Sequence, residues 1–273
     1  MLAQRTLEIA KAVRRRLSLQ RLRMEIQLRR HRDLFGPPKV IVVGAAEGIG
    51  PRYSLWVRKK LIQAAGFEAD EQECKRLVAR SRGVDYYPYA LGNSDGKQIL
   101  YITAFPGCSS CLEPNMEVLS AYPVKEWFKV ANKIEISVHR FDSLYESGKV
   151  LLAPDFLHID VQGFEFEVLE GMGKYINNVT CIEIESHLKY LYKGQKLFSE
   201  LKVHLENKGF FLRDIETQGV FEGEVLELNA FFCKVADNSM DAERQSLIQL
   251  WEELCNMKRA LFFRDCQWMA PHT

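Results

Sequence analysis

The sequence contains no apolar run long enough to cross a bilayer, and its first residues lack the apolar core of a secretory signal peptide. We therefore expect neither a membrane-spanning nor a secreted protein. Internal repeats and low-complexity tracts are also missing. The seven cysteines are an odd number and are spread along the chain. This distribution favours a reducing compartment, the cytoplasm, over a disulfide framework.

The sequence does have an ordinary globular composition, with 47% apolar and 27% charged residues, so we expect a full core. A length of 273 residues fits one open α/β sheet with short additions. The residue pattern predicts three segments: a basic helical extension (residues 1–36), the main domain (37–236) and a C-terminal helical extension (237–273).

The charge is distributed unevenly. Residues 1–32 hold ten Lys and Arg against two Glu, a net charge of +8, and the whole chain carries +1, so the remainder carries −7. Apolar residues from Leu2 to Leu28 recur at spacings of four or seven, which predicts one or two amphipathic helices. Gly36-Pro37-Pro38 should end the helix. The favoured interpretation is a helix packed on the domain edge. A peripheral membrane contact or an acidic partner is the alternative.

From Lys39 onward, short apolar stretches alternate with helical patterns, which predicts a mainly parallel sheet covered by helices on both faces. The expected strands of this sheet are Val40–Val43, Gly66–Ala69, Val84–Leu91, Phe156–Val161, Thr180–Glu185, Phe210–Ile215 and Leu226–Val235. The expected helices are Arg52–Ala65, Glu71–Ser81, Glu165–Gly171, Leu197–Lys208 and Asp241–Phe263. Gln98–Thr103 and Lys133–His139 alternate apolar and polar residues and should form added strands, as a hairpin or a flap. No helix separates the last two sheet strands, so the sheet should be mixed at one edge.

A glycine-rich turn follows the first strand in Val40-Ile-Val-Val-Gly44-Ala-Ala-Glu-Gly48-Ile-Gly50. Glycines let backbone N–H groups approach a ligand, and the helix that follows favours negative charge. The turn alone does not distinguish a dinucleotide enzyme from a methyltransferase. The dehydrogenase alternative needs a Tyr-x-x-x-Lys pair on a helix. Tyr145-Glu-Ser-Gly-Lys149 has the spacing, but Gly148 interrupts it and we expect a turn there.

An acidic residue ends the second strand at Glu68. An acid at this position can accept hydrogen bonds from the two ribose hydroxyls of a nucleoside cofactor. A surface glutamate at a helix start is the alternative. Loop, spacing and acid together favour a cofactor site.

Four segments now resemble the FkbM-type family of S-adenosylmethionine-dependent methyltransferases. Phe67-Glu68-Ala69 is similar to the family's Phe-Glu-Pro, and the stretch from Ser109-Ser110 to Pro114 is similar to its Ser-Ser-Leu-x-x-Pro loop. Asp160-Val-Gln162-Gly163-Phe-Glu165 resembles the Asp-Val-(Glu or Gln)-Gly-x-Glu signature. Ile182-Glu-Ile-Glu185, with the loop from Tyr192 to Phe198, resembles the strand and loop that come next. The resemblance runs from about Lys39 to Val235, and the signature at Asp160 is its most specific part.

The resemblance implies a class I, Rossmann-like methyltransferase sheet, mostly parallel with an antiparallel last strand, over residues 37–236. It also implies S-adenosyl-L-methionine as cofactor and O-methylation of a small-molecule or glycan acceptor, a sugar, a polyketide or a lipid-like hydroxyl compound. The expected cofactor-binding residues are Gly44, Ala45, Ala46, Glu47, Gly48, Glu68, Ala69, Leu91, Gly92, Ser109, Ser110, Asp160 and Val161.

The first loop departs from the family's Asp-x-Gly-Ala-Asn-x-Gly, because Val42 replaces the Asp and Ala46 replaces the Asn. Glu47 is a candidate substitute for the missing carboxylate. The departure keeps open a non-catalytic binding protein with the same fold.

Three polar side chains at strand ends are the expected catalytic residues. Ligands in open α/β sheets bind beyond the carboxyl ends of the strands, so Asp160, Glu185 and His187 should face one crevice. Methylation of an alcohol needs a nearby base, and Asp160 is the first candidate. A helix N-cap is its structural alternative, and a buried or surface role is the alternative for His187.

The cysteine motif carries no predicted chemistry. Cys108 and Cys111 form a Cys-x-x-Cys without a thioredoxin-like setting or a second ligand pair, so we interpret them as incidental.

We expect no metal, since more ligands would be needed than the sequence offers. We also expect no nucleic-acid partner, because no such motif accompanies the basic segment. The sequence does not indicate an oligomeric state.

Overall fold

The computed structural model describes residues 2–221, 223–234 and 241–266, with side chains for 18–221, 223–234 and 241–255. In chain order the helices are α1 (Leu2–Phe35), α2 (Gly50–Arg58), α3 (Glu71–Arg80), α4 (Met116–Leu119), α5 (Phe141–Glu146), α6 (Glu165–Gly171), α7 (Phe198–Asn207) and α8 (Ala242–Cys266). The strands are β1 (Lys39–Val43), β2 (Gln63–Phe67), β3 (Val84–Tyr87), β4 (Ala90–Leu91), β5 (Gly96–Thr103), β6 (Val130–His139), β7 (Phe156–Ile159), β8 (Cys181–His187), β9 (Phe210–Thr217), β10 (Val220–Phe221), β11 (Glu224–Val225) and β12 (Glu227–Lys234).

Seven strands form the central sheet in the order β3-β2-β1-β7-β8-β12-β9. The pairs from β3 to β8 are parallel, whereas β12 runs antiparallel to both β8 and β9. The mostly parallel sheet with an antiparallel last strand is therefore confirmed.

Helices cover both faces of this sheet, as predicted. One core contains Met24 and Leu28 of α1, Trp56 of α2 and Trp251 of α8. The other lies under α5, α6 and α7. The terminal helices thus share the core of the main domain, and His31 Nδ1 lies 2.8 Å from Ser246 Oγ between α1 and α8. The three-segment division of the chain stays a prediction.

The N-terminal segment is one helix rather than two. Gly36 follows it with φ +95°, and its N–H donates to the Arg32 carbonyl at 2.9 Å. A left-handed glycine followed by proline is a common way to end a helix. The C-terminal helix is also present, over nearly the predicted range.

Two strand predictions were wrong in their bounds. The helix expected over Arg52–Ala65 ends at Arg58, and Gln63–Phe67 forms β2, because pairing with β1 overrides the helical preference of Ala64 and Ala65. The single strand expected over Val84–Leu91 is two strands in two sheets. Pro88 lies between them and has no N–H to continue a ladder.

A smaller sheet of β4, β6 and β5 stands beside the central one, and β5 pairs antiparallel with β6. The two predicted added strands are thus present as an antiparallel pair, although residues 104–129 separate them in the chain. Strands β4 and β5, and the segment that follows β5, lie near the carboxyl edge of the central sheet. There they help to enclose the cleft described next.

Candidate functional site

A cleft of about 1050 Å³ lies beyond the carboxyl ends of β1, β2, β7 and β8. Its floor is formed by the turns that follow these strands. Its walls come from segments 105–111, 124–128 and 218–221. A volume of this size accommodates a cofactor-sized ligand.

The glycine turn brings β1 against β7. Gly44 has φ +83°, and a Cβ atom there would lie 1.7 Å from the Asp160 carbonyl oxygen. The N–H groups of Gly44 and Ala45 donate to the Phe67 carbonyl, and that of Gly48 donates to Ala45. These three amides are therefore used within the protein. Gly44 serves the site by close approach to the turn at Asp160 rather than by a free donor.

Glu68 follows β2 and lines the cleft while only 8% exposed. Its carboxylate accepts a hydrogen bond from the Asp70 N–H at 2.8 Å, and burial raises its pKa. The surface-glutamate alternative is wrong for this buried side chain. Its position suits recognition of paired hydroxyl groups.

Three carboxyl groups meet in the cleft where β7, β8 and β12 come together: Asp160, Glu185 and Glu227. Gln162 Nε2 donates to Asp160 Oδ1 at 3.2 Å and also to Glu185 Oε2. Burial, the charges of Asp160 and Glu227 and a hydrogen bond to Asp160 raise the pKa of Glu185. Burial and Asp160 likewise raise the pKa of Glu227, although its hydrogen bond with Glu185 opposes this. Burial and the neighbouring carboxyl groups thus favour the protonated form of Glu185.

The turn from Asp160 to Glu165 is held from inside the protein. Gln162 has φ +57°, a left-handed conformation uncommon for a residue with a side chain. Glu165 is 1% exposed, and its Oε1 accepts hydrogen bonds from the N–H groups of Val161 at 3.2 Å and Gly163 at 3.0 Å. Burial raises the pKa of Glu165 to about 8. Asp160 is not the N-cap of α6, which begins after Phe164, so the capping alternative is wrong.

His187 does not face the cleft, contrary to expectation. Its side chain is 1% exposed, and its ring packs edge-on against Tyr192 at 5.7 Å between centroids. Neither ring nitrogen has a hydrogen-bond partner among the described residues, although Nε2 lies 3.9 Å from Glu227 Oε2. Burial lowers the pKa of His187 to about 4. The ring is therefore neutral near pH 7 and lies behind the carboxyl cluster.

The serine pair lines the cleft, but both hydroxyls bond within their own loop. Ser109 Oγ accepts from the Thr103 N–H at 3.2 Å, and Ser110 Oγ accepts from the Leu112 N–H at 2.9 Å. Cys108 and Cys111 are free thiols, and burial raises the pKa of each to about 12. Such thiols are unreactive.

A buried polar cluster lies beside Val42, the position that departs from the family pattern. Val42 pairs in register with His158 of β7, and His158 pairs with Glu183 of β8. Arg52 of α2 forms an ion pair with Glu183 and lies 3.3 Å from His158 Nδ1. Burial opposes the charge of Arg52, but the attraction of Glu183 overrides this and raises its pKa. The position that departs from the family pattern thus lies two strands away from a buried ion pair.

The structure places most of the expected site residues at the cleft and leaves three out. The residues that line it are Gly44, Ala46, Glu47, Gly48, Glu68, Ala69, Leu91, Ser109, Ser110, Asp160, Val161 and Glu185. Ala45, Gly92 and His187 are not in its lining. Ala45 is fully buried, and Gly92 instead abuts Gly171, where an added Cβ would lie 2.0 Å from the Gly92 carbonyl oxygen.

Three residues that line the cleft were not predicted as site residues: Arg52, Gln162 and Glu227. Gln162 belongs to the signature motif and could have been chosen from it. Arg52 and Glu227 carry no local signal, because their partners are distant in the chain.

The dehydrogenase alternative fails on geometry. Tyr145 lies on α5, which was not predicted, but the expected turn is present at residues 147–148, so Lys149 is not on the helix. Tyr145 packs against Phe141 and Tyr175 in the core and does not line the cleft. Tyr145 and Lys149 are therefore not presented to the cleft as a pair for proton transfer.

The strand order, the glycine turn after β1, the acid after β2 and the carboxyl groups at the carboxyl ends of β7 and β8 define a class I methyltransferase. Residues 43–212, more than half of the chain, match the Methyltransferase FkbM domain. The chain belongs to this family. No curated protein matches the chain significantly.

Three solved structures illustrate what the chain is similar to. Magnesium protoporphyrin IX methyltransferase from Synechocystis PCC 6803, with bound SAM, has 8% identity over 81% of this chain and 80% of that chain, with a TM-score of 0.38. The 1,6-didemethyltoxoflavin-N1-methyltransferase of Burkholderia thailandensis has 12% identity over 78% of each chain and a TM-score of 0.38. Human methyltransferase-like protein 13, in complex with SAH, has 14% identity over 86% of this chain and 89% of that chain, with a TM-score of 0.38.

The cofactor of this family is S-adenosylmethionine, and the residues present fit it. The cleft beside the turn at Gly44 has the size of the cofactor, and the buried Glu68 carboxylate can accept from two ribose hydroxyls. Among the described residues, no group of three or more His, Cys, Asp or Glu could hold a metal ion. Within the same ranges, no helix combines the length and the apolar character that a membrane crossing requires.

Proposed function

We propose that the chain transfers the methyl group of S-adenosylmethionine to a hydroxyl oxygen of a small-molecule or glycan acceptor, of the sugar, polyketide or lipid-like kind. The observation that supports this best is the position of Asp160 in the cleft beyond the glycine turn, hydrogen-bonded to Gln162 and beside Glu185. A carboxyl group held in this way is suited to removing a hydroxyl proton.

When bound, the cofactor supplies a methyl carbon activated by the positive sulfonium, and the electrons of the broken S–C bond return to sulfur. The protein must hold the hydroxyl in line with that carbon and remove its proton as the O–C bond forms. In this proposal Asp160 accepts the proton. Gln162 orients Asp160 through the 3.2 Å hydrogen bond, and Glu185 stabilises its carboxylate by hydrogen bonding.

Glu68 is the proposed ribose ligand, and the turn from Gly44 to Gly48 is the proposed contact for the methionine end. Among the positively charged side chains that line the cleft, Arg52 is the closest to that turn along the chain. Its ion pair with Glu183 sets its position. Exchange of Glu68 for Gln should weaken binding of S-adenosylhomocysteine about tenfold or more, since hydrogen bonds to charged groups contribute about 1.5–3 kcal/mol.

Transfer of a radiolabelled methyl group tests the activity directly. The full chain is incubated with labelled S-adenosylmethionine and panels of glycans, polyketides and hydroxylated lipids, with amines as a comparison panel. Label that enters hydroxyl compounds in wild type but not in Asp160→Asn supports the proposal. Label that enters only amines contradicts the O-methylation. If S-adenosylhomocysteine neither binds by calorimetry nor raises the melting temperature at millimolar concentration, the whole proposal fails.

A second candidate is a non-catalytic binding protein with the same fold, motivated by Val42 and Ala46 in the first loop. It predicts cofactor binding without turnover on any acceptor panel. Binding that survives in Asp160→Asn, with no labelled product from wild type, would favour it.

We also propose that the protein acts in the cytoplasm. Buried free thiols at Cys74, Cys108, Cys111, Cys181 and Cys233 support a reducing compartment. Fractionation of cells expressing the full chain, with a cytoplasmic and an exported marker, tests it.

A further inference from the structure

Helix α1 has two apolar faces, and the core uses only one of them. Met24, Leu28 and His31 are buried against the domain. Leu19, Leu22 and Ile26 are 53%, 56% and 58% exposed. Large apolar side chains at such exposure are individually ordinary, but three on one helix form a surface that calls for a partner.

Their spacing puts the three exposed residues on one stripe. Positions separated by three or four residues share a face of an α-helix. Leu22 precedes Met24, and Ile26 precedes Leu28, by two residues, which is about 200° around the axis. The stripe of Leu19, Leu22 and Ile26, here called the outer stripe, therefore points away from the core.

Basic side chains flank the outer stripe. Arg23, Arg29 and Arg30 are all exposed. Arg29 is paired with Glu25, whereas Arg23 and Arg30 have no ion pair among the described residues. Residues 1–32 together carry a net charge of +8, so the stripe lies within the most positive segment of the chain.

We propose that the outer stripe of α1 docks the protein on an anionic membrane surface, with Leu19, Leu22 and Ile26 inserted among the lipids and Arg23 and Arg30 at the headgroups. Exposed apolar residues bordered by arginines are the pattern of helices that lie in a membrane interface. This proposal does not depend on the reaction proposed above.

The charge argues against two other occupants. A second copy bound through the same stripe would bring two +8 segments together, which is repulsive. A nucleic acid would satisfy the arginines but would leave the three apolar side chains without a role, since phosphate contacts are electrostatic. An anionic bilayer satisfies both features at once.

Vesicle co-sedimentation of the full chain tests the proposal. Wild type should bind vesicles of phosphatidylcholine mixed with phosphatidylserine and should not bind phosphatidylcholine alone, and added salt should weaken the binding. The double variant Leu22→Gln with Ile26→Gln should weaken it by about tenfold or more, because two inserted aliphatic side chains are lost. Arg23→Gln with Arg30→Gln should weaken it by about tenfold as well.

Matched controls separate docking from a general loss of surface hydrophobicity. Val78 of α3 and Val203 of α7 are 56% and 57% exposed, so Val78→Gln with Val203→Gln removes comparable apolar surface elsewhere. This control should bind vesicles like wild type. All variants alter exposed residues, and equal melting temperatures verify their folding.

Several outcomes would overturn the proposal. These are no binding of wild type to the anionic vesicles, or equal binding by Leu22→Gln with Ile26→Gln. Analytical ultracentrifugation that shows a dimer which this variant dissociates would assign the outer stripe to a second copy. Binding to RNA or DNA without binding to vesicles would assign the basic segment to a nucleic acid.

Discussion

Arg52 of α2 and Glu183 of β8 form an ion pair inside the protein, with side chains 6% and 0% exposed. The Arg52 guanidinium lies over the rings of Tyr53 and Trp251, with its Cζ atom 4.7 and 5.4 Å from their centroids. The pair connects the helix after the glycine turn to the middle of the sheet. The ion pair therefore links the position of the glycine turn to the core.

Removal of one partner of this pair should be strongly destabilising. Glu183→Ala leaves a buried guanidinium without its counter-charge, so the free energy of unfolding should fall by about 3–5 kcal/mol. Urea denaturation measures this. The control is Glu113→Ala, which breaks the exposed pair with Lys193 (side chains 44% and 58% exposed) and should cost about 0–1 kcal/mol. Equal costs for the two variants would mean that Arg52 and Glu183 are not paired in the buried state.

Gly44→Ala should abolish cofactor binding. The added Cβ would lie 1.7 Å from the Asp160 carbonyl oxygen, so β1 and β7 must separate at the site. Gly36→Ala is the matched control, because Gly36 also has a positive φ, +95°, but nothing lies within 4 Å of an added Cβ. Both variants bear the backbone strain of about 1–2 kcal/mol, and only Gly44→Ala meets the clash. Calorimetry with S-adenosylhomocysteine should show loss for Gly44→Ala alone; retained binding would contradict the close packing at this turn.

Asp160→Asn should lower kcat by about 10²- to 10⁴-fold on the acceptor found in the labelling screen, as expected for loss of a general base. Gln162 can still donate to the amide oxygen at residue 160, so S-adenosylhomocysteine binding should change much less than kcat. The comparison variant is His187→Gln, whose ring lies outside the cleft lining. If that variant lost more turnover than Asp160→Asn at equal stability, the assignment of the base to Asp160 would be incorrect.

Glu165→Gln should change how stability depends on pH. Burial raises the pKa of Glu165 from 4.5 to about 8 in the folded protein. The native state then holds a proton that the unfolded chain releases, so this contribution is complete below about pH 4.5 and is lost as pH rises toward 8. Glutamine keeps the acceptor oxygen for the Val161 and Gly163 amides but cannot titrate.

The free energy of unfolding measured by urea denaturation between pH 5 and 8 should therefore fall more steeply for wild type than for Glu165→Gln, by up to about 1.4 kcal/mol per pH unit. Glu206→Gln, which removes an exposed carboxyl on α7, serves as the comparison. Parallel pH profiles for wild type and Glu165→Gln would show that Glu165 is ionised in the folded protein.

The sheet prediction succeeded where local pattern and tertiary context agree. β1, α3, α6 and α7 lie within one or two residues of their predicted bounds, since their apolar spacing matches the burial that they receive. The second strand was misplaced because Ala64 and Ala65 have no strong local preference for a strand. Only the ladder to Lys39–Val43 makes that segment extended.

In the candidate site, too, some features follow from the local sequence and others depend on tertiary contacts. Asp160 and Glu185 follow recognisable strands, so their meeting beyond the sheet edge could be predicted from topology. The burial of His187 could not be, because it depends on Tyr192 and on β12, which packs beside it. Likewise, the use of the Gly44, Ala45 and Gly48 amides within the protein depends on how the loop folds back on Phe67.

Neighbouring residues encode the alternating α/β pattern, the glycine turn, the acid after the second strand and the signature at Asp160, so these features could be predicted from the chain alone. Which distant groups join them depends on the tertiary structure. β12 runs antiparallel to β8, so its first residue, Glu227, lies at the carboxyl edge beside His187 and completes the carboxyl cluster. Arg52, His158 and Glu183 meet because three separate elements converge under the cofactor loop. Such pairings arise from chain reversal and packing across the sheet, which no local stretch of sequence records.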